Sequence, residues 1–454
     1  MNRLILIIST SILLWNCQAP KSNAVFIGGQ IVKPSSSFVT VYFGNRVLDT
    51  FLLDNSTRFS RLYDSLSIGI YKMEHIPEFT SMLLEPGDSL WARINATDFQ
   101  ESLFFSGRGA SKNNFLNDIR LRLELENDFL ASQYASPPQV FKLIVDSLLR
   151  EKKEQWIQMD SLNTMSPYAQ KITQAAYIYP YASIQERYAL LRGNQWDSLQ
   201  NNQFLSYRKF LNFGENDLAF FDPYITYLMN FLNREALHKG ENYIEARQNT
   251  NFNLRRLEEI QNKIEGALVR NNLARAVAYE ELLNFNNHEN HDVFLDFYLK
   301  INSSSSYAEE INSLHEDINQ MNEGKTLPKI ILQNAELKLL TSDDLWSKPT
   351  VVYFWSQTQM NHFKATINRV KKLKVKHPNY RFVGISIQPL NPIALEVYKM
   401  MALDSENQFG LVDFGIASKK WVITLLNKTI IVDSQGKIIN GFANIMAPDF
   451  EKAL

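Results

Sequence analysis

The stretch that most constrains this chain is Lys348-Pro-Thr-Val-Val-Tyr-Phe-Trp-Ser-Gln-Thr-Gln-Met-Asn-His-Phe363. Val351, Val352, Tyr353, Phe354 and Trp355 are β-branched or aromatic with no polar alternation, the pattern of a strand covered on both faces of a sheet. Phe363, Ile367, Val370 and Leu373 then follow at helical spacing, which predicts an amphipathic helix directly after a short polar turn. Strand, turn and helix together place whatever occupies the turn at a helix N-terminus, where unpaired N–H groups favour negative charge.

Other motifs fall in line with this stretch. Gly324-Lys-Thr-Leu-Pro328 precedes it, and Asp433-Ser-Gln-Gly436 follows between the apolar runs Thr429–Val432 and Lys437–Asn440, which predicts an antiparallel hairpin. Tyr380–Ile387 reads as another buried strand, and Phe450–Leu454 as a last helical turn. Over residues 324–454 this order resembles the thioredoxin-like domain of TlpA-like envelope lipoproteins. That family has Gly-x-x-x-Pro, a strand ending Phe-Trp-Ala-x-Trp-Cys-x-x-Cys, a helix, a cis-proline, and a strand ending Asp-x-x-Gly. The resemblance implies a C-terminal thioredoxin-like α/β domain.

Counting from Phe354-Trp355 places Gln359 and His362 at the two cysteine positions. Counting back from Asp433 places Asn427 at the cis-proline position. Tyr353 takes the place where thioredoxins often keep a buried acid. The family's chemistry is thiol–disulfide exchange, in which a thiolate attacks a disulfide and a second thiol resolves the mixed disulfide. Neither Gln359 nor His362 offers a thiol, and the only cysteine of the chain is Cys17. The expectation is a redox-inactive scaffold that binds a protein partner in the envelope, with no catalytic residue, cofactor or metal. Two other readings stand beside it: non-thiol chemistry with His362 as base or nucleophile near Ser356, and thiol chemistry through an unmodified Cys17.

The first residues set the compartment. After a single basic residue, Arg3, an apolar core runs from Leu4 to Trp15, shorter than the roughly 20 residues a bilayer span needs, so it reads as a secretory signal over residues 1–17. Cys17 directly after it, with Leu14 three positions earlier, resembles a bacterial lipoprotein signal; the alternative is a plain secretory signal with an incidental cysteine. Lipidation at Cys17 implies a membrane anchor and an envelope lipoprotein, periplasm-facing or on the surface, of the outer membrane rather than the inner. A net charge of -1 over 454 residues gives no electrostatic basis for nucleic-acid binding.

Chain length and patterning predict several domains. Short runs such as Ala24–Ile27, Phe38–Phe43, Thr50–Leu53 and Met82–Leu84, separated by turn residues, predict an antiparallel, sandwich-like β-domain over residues 24–110. Its Glu85-Pro-Gly-Asp88 turn and the Gly107-x-Gly109 stretch resemble the N-terminal β-domain attached to such lipoproteins in Bacteroidota. A phosphate loop at Gly107 and Gly109 lacks the following Gly-Lys-Ser/Thr. Residues 111–322 read as an irregular helical domain. Ser136-Pro137 predicts a cap and first helical residue, with Val140, Leu143, Ile144 and Leu148 as the apolar face. Ser306–Glu309 reads as a capping box ahead of Ile311, Leu314, Ile318 and Met321.

Three clusters in this sequence invite further chemistry. His288 and His291 with Glu289 or Asp292 have zinc-ligand spacing, set among asparagines that favour a loop. Tyr177, Tyr179, Tyr181, Phe220 and Phe221 fit either a ligand groove or a core. The Arg369–Lys376 run fits the solvated face of a helix.

Overall fold

The computed structural model describes residues 23–44, 46–76, 78–192, 203–284, 291–357, 359–391, 395–396, 401 and 403–454. The chain divides into two compact units, one of residues 1–246 with 258–273, the other of residues 247–257 with 274–454.

The first unit opens with eight strands: β1 (Val25–Val32), β2 (Phe38–Phe43), β3 (Arg46–Leu52), β4 (Arg58–Tyr63), β5 (Gly69–His75), β6 (Glu78–Leu84), β7 (Ser89–Asn95) and β8 (Phe104–Arg108). They form two sheets, ordered β4-β1-β7-β8 and β3-β2-β5-β6. The expectation of a purely antiparallel domain needs one correction, because β1 pairs in parallel with β7 from Phe26↔Ser89 to Val32↔Asn95. Strict alternation along β5 buries Tyr71 and Met73, which join Val25, Ile27, Val39, Val41 and Leu90 in one core.

Glycines at 107 and 109 serve close packing in the β-domain. A Cβ on Gly107 would lie 2.0 Å from the Ser89 carbonyl oxygen, and one on Gly109 would lie 2.5 Å from Asp88 Oδ1. Both have positive φ, +96° and +92°, which a side chain would strain. Asp88 and Glu85 in turn hold the buried ammonium of Lys112 at 2.7 and 2.6 Å, fixing the turn to the helix that follows.

After a helical turn, α1 (Phe99–Ser102), that helix is α2 (Ala110–Ser132); α3 (Pro138–Leu162), α4 (Pro167–Leu191), α5 (Asp222–Glu235) and the short α6 (Tyr243–Ala246) follow. Helix α3 starts one residue later than the sequence predicts: Pro138 is its first residue and Pro137 its N-cap. Its apolar face differs in part: Ile144 and Leu148 pack half-buried against the core as predicted, but Phe141 and Val145 are fully buried while Val140 and Leu143 are exposed. Phe141 stacks on Tyr188 of α4 with centroids 4.0 Å apart, and this contact selects the stripe. Ser166 caps α4 by accepting from the Ala169 N–H at 3.0 Å. The carboxylate of Glu186, fully buried on α4, is met bidentately by Arg208, which also reaches Glu235 at 2.8 Å. A buried carboxylate needs such pairing to remain charged.

Helices α7 (Thr250–Lys263) and α8 (Ala267–Leu282) contribute residues to both units, and α9 (Asp292–Ile301) and α10 (Ser305–Gln320) belong to the second. Ser304, not Ser306, caps α10 by accepting from the Tyr307 N–H. Ile311, Ile318 and Met321 are buried as the spacing predicts, and Leu314 is half-buried.

A seven-stranded sheet closes the second unit: β9 (Ile331–Gln333), β10 (Leu339–Thr341), β11 (Thr350–Trp355), β12 (Arg381–Ser386), β13 (Gln408–Leu411), β14 (Lys428–Val432) and β15 (Ile438–Asn444), in the order β10-β9-β13-β12-β11-β14-β15. β11, β12 and β13 are parallel, β14 runs antiparallel to β11, and β14 and β15 form the hairpin. Every residue of β11 is buried. Val351, Tyr353 and Trp355 meet Phe363, Ile367, Val370 and Leu373 of α11 (Met360–Lys376), while Phe354 packs edge-on against Trp421, just past α12 (Phe414–Lys420). A parallel core strand covered on both faces, its crossover helix, and a terminal antiparallel hairpin give the unit a thioredoxin-like fold.

Candidate functional site

In open α/β sheets the positions that can reach a ligand lie beyond the carboxyl ends of the parallel strands. Here β11 and β12 end side by side at Trp355 and Ser386, and α11 starts five residues after Trp355. The structure brings two of the positions singled out by sequence into contact. His362, in the first turn of α11, donates from Nε2 to Asn427 Oδ1 at 2.7 Å, just before β14. The other ring nitrogen, Nδ1, is buried with no hydrogen-bond partner among the described residues. Gln359 is the N-cap of α11 but makes no side-chain capping bond, and it is exposed. Among the described residues, Gln359 brings an amide to the turn and His362 an imidazole, and neither brings a thiol.

Below the turn, Tyr353 fills the interior position. Its hydroxyl accepts from Gln408 Nε2 at 2.9 Å, and burial pushes the phenol up to about 12, so it stays protonated across the physiological range. Gly384 of β12 makes room for this pair, because a Cβ there would stand 2.4 Å from Gln408 Oε1 and 2.6 Å from the Tyr353 hydroxyl.

A set of amides around the strand ends escaped sequence reasoning. Gln388 donates from Nε2 to Ser356 Oγ at 3.0 Å and accepts the Gln357 N–H at Oε1, also at 3.0 Å. Gln357 reaches Ser386 Oγ at 3.1 Å and the Pro389 carbonyl at 2.8 Å, and Asn391 donates to Gln357 Oε1 at 2.8 Å. The available signal was that both apolar strands end in Ser-x-Gln or Ser-Gln. This network fixes the turn, and it engages the buried Ser356 hydroxyl.

Lys428, also unremarked in the sequence, is buried beside Asn427, with its ammonium 4.0 Å from the Phe442 ring centroid. Burial lowers its pKa well below the usual lysine value. Of the other sequence candidates, Cys17, His288 and Glu289 lie outside the described residues. His291 faces the fully buried Glu281 with Nδ1 3.0 Å from Oε1, and Glu281 also accepts from Thr250 and Asn253. Asp292 opens α9. Among the described residues no group of three His, Cys, Asp or Glu could hold a metal ion. Tyr177, Tyr179 and Tyr181 are core residues, whereas Phe220 and Phe221 border a cavity. In the basic run, Val370 and Leu373 face the core, and Arg369 and Lys376 face Glu451.

No family profile matches the chain, and no curated protein is similar to it. Solved structures are. The thioredoxin domain of a thiol-disulfide oxidoreductase from Bacteroides vulgatus is 20% identical, over 28% of this chain and 91% of that one, with a TM-score of 0.24. A thiol-disulfide oxidoreductase from Bacteroides fragilis is 21% identical, over 28% and 95%, with a TM-score of 0.23. A thiol:disulfide interchange protein from a Bacteroides species is 20% identical, over 26% and 80%, also at 0.23. The fold assignment rests on the sheet topology itself.

Proposed function

We propose that this chain is a cell-envelope lipoprotein, anchored through Cys17, whose thioredoxin-like domain is redox-inactive and binds a protein partner. The observation that supports this is the content of the turn. The positions that match the family's two thiols hold Gln359 and His362, and the imidazole is tied to Asn427. Disulfide exchange needs an attacking thiolate and a leaving thiol, and neither residue supplies one. A scaffold that keeps its buried strands while the turn is closed by amide hydrogen bonds suits recognition rather than turnover.

The decisive assay is insulin reduction driven by dithiothreitol, using the full chain carrying Cys17→Ser. Its rate is expected to equal the protein-free background; a reproducibly faster rate sinks the redox-inactive reading. The anchor is tested separately by metabolic labelling with a palmitate analogue. Wild type is expected to label and Cys17→Ser to remain unlabelled, and equal labelling of the two removes the anchor. Among the described residues no helix is long and apolar enough to cross a membrane.

A further inference from the structure

The first unit contains a cavity of about 770 Å³ that the thioredoxin-like reading leaves unused. This volume is in the range that encloses most of a small organic ligand. Its walls come from β6, α2, α4 and the start of α5. Leu123, Pro180 and Ile184 give it an apolar lining, and two large rings stand over it with much of their surface exposed, Phe79 at 47% and Phe220 at 43%.

Among the described residues, the charged groups lining the cavity are three carboxylates, Glu78, Glu124 and Asp222, against one guanidinium, Arg120. Arg120 is already engaged: it donates to Glu124 Oε1 at 2.8 Å, to Asn117 Oδ1 at 2.9 Å and to Gln100 Oε1. Among the described residues Glu78 receives only a long bond from Gln100 Nε2, 3.3 Å. Asp222 makes no side-chain hydrogen bond or ion pair among the described residues. Its position is fixed, since it is the first residue of α5 and the carbonyl of the preceding Phe221 accepts from both Tyr224 and Ile225. Lys72, whose charge acts on Asp222, pairs with Glu74 at 3.1 Å and lies over the Phe79 ring. The cavity thus combines aromatic faces, an apolar lining and a carboxylate with no ion-pair partner among the described residues, the features that recognise an organic cation.

We propose that this cavity binds a small amphipathic organic cation, with its apolar body on Phe79, Phe220 and Leu123 and its ammonium group at Asp222. The cavity's lining residues all belong to the first unit, so the proposal does not rest on the redox-inactive reading of the thioredoxin-like domain.

Calorimetric titration of the purified full chain tests it with three probes that share one body: phenylbutylamine, phenylbutanol and phenylbutyrate. The amine is expected to bind more tightly than about 1 mM, and the carboxylate at least about tenfold more weakly, as one charge-assisted contact would produce. Asp222→Asn is expected to weaken the amine about tenfold and leave the alcohol unchanged, whereas Phe220→Ala weakens both. The amine–carboxylate comparison needs no variant and so stands even if a substitution unfolds the unit. Absence of amine binding, equal binding of amine and carboxylate, or an unaltered amine affinity in a folded Asp222→Asn protein overturns the proposal.

Discussion

At the scale of single residues, the site turns on what replaces the expected reactive groups. His362 and Asn427 stand at positions that sequence counting identified one by one, and their mutual bond became visible only when β14 was brought beside the start of α11. Removing one partner of a half-buried hydrogen bond costs about 1 kcal/mol, so His362→Ala and Asn427→Ala should each lower stability by about that amount. The double variant should lose less than the sum, a coupling that chemical denaturation of all four proteins measures. Gly384 is less tolerant. A methyl group there meets Gln408 and the Tyr353 hydroxyl at 2.4–2.6 Å in a strand that cannot shift without its neighbours. We expect Gly384→Ala to cost about 1–3 kcal/mol, read from the same denaturation curves.

Among elements, the helices show where pattern reading holds and where it slips. The spacing of Phe363, Ile367, Val370 and Leu373 in α11 matches their burial because one stripe was on offer. In α3 the sequence carried two overlapping stripes, and Phe141 and Val145 face the core rather than Val140 and Leu143. Phe141→Ala should therefore destabilise by about 3–5 kcal/mol. By contrast, Leu143→Ala should stay within about 0.5 kcal/mol, and similar melting losses for both would reverse the assigned face. Cap positions slipped by one or two residues for a related reason: serines and prolines cluster at 136–138 and 303–306, and local chemistry alone does not choose among them.

For the whole molecule, buried carboxylates set the response to acid. Burial alone would raise Glu281, but hydrogen bonds from His291, Asn253 and Thr250 outweigh it and hold the carboxyl below its ordinary 4.5. Glu235 is likewise held below 4.5 against burial by the charge of Arg208 and by hydrogen bonds from Lys263 and Arg208. A carboxyl lowered in the folded state binds protons more readily when unfolded, so its stabilisation is present above about pH 4.5 and lost as pH falls through the folded value. Asp88, Asp222 and Asp317, raised by burial, act in the opposite sense. Thermal midpoints taken from about pH 6 down to about pH 3 should fall below pH 4.5, and Glu281→Gln should flatten part of that fall. An unchanged slope in that variant would remove Glu281 from the account.

The sequence by itself determined the run of buried strands, the amphipathic α11, the hairpin at Asp433–Gly436 and the confinement of cysteine to position 17, because periodicity, composition and residue identity are local properties. Tertiary structure alone decided the parallel β1–β7 pair, the face of α3, the His362–Asn427 bond, the amide network around Gln388 and the cavity at Asp222. The physical reason is common to all five. Each depends on residues far apart in the chain meeting at a few ångströms, and a contact of that kind leaves no period in the sequence that could announce it.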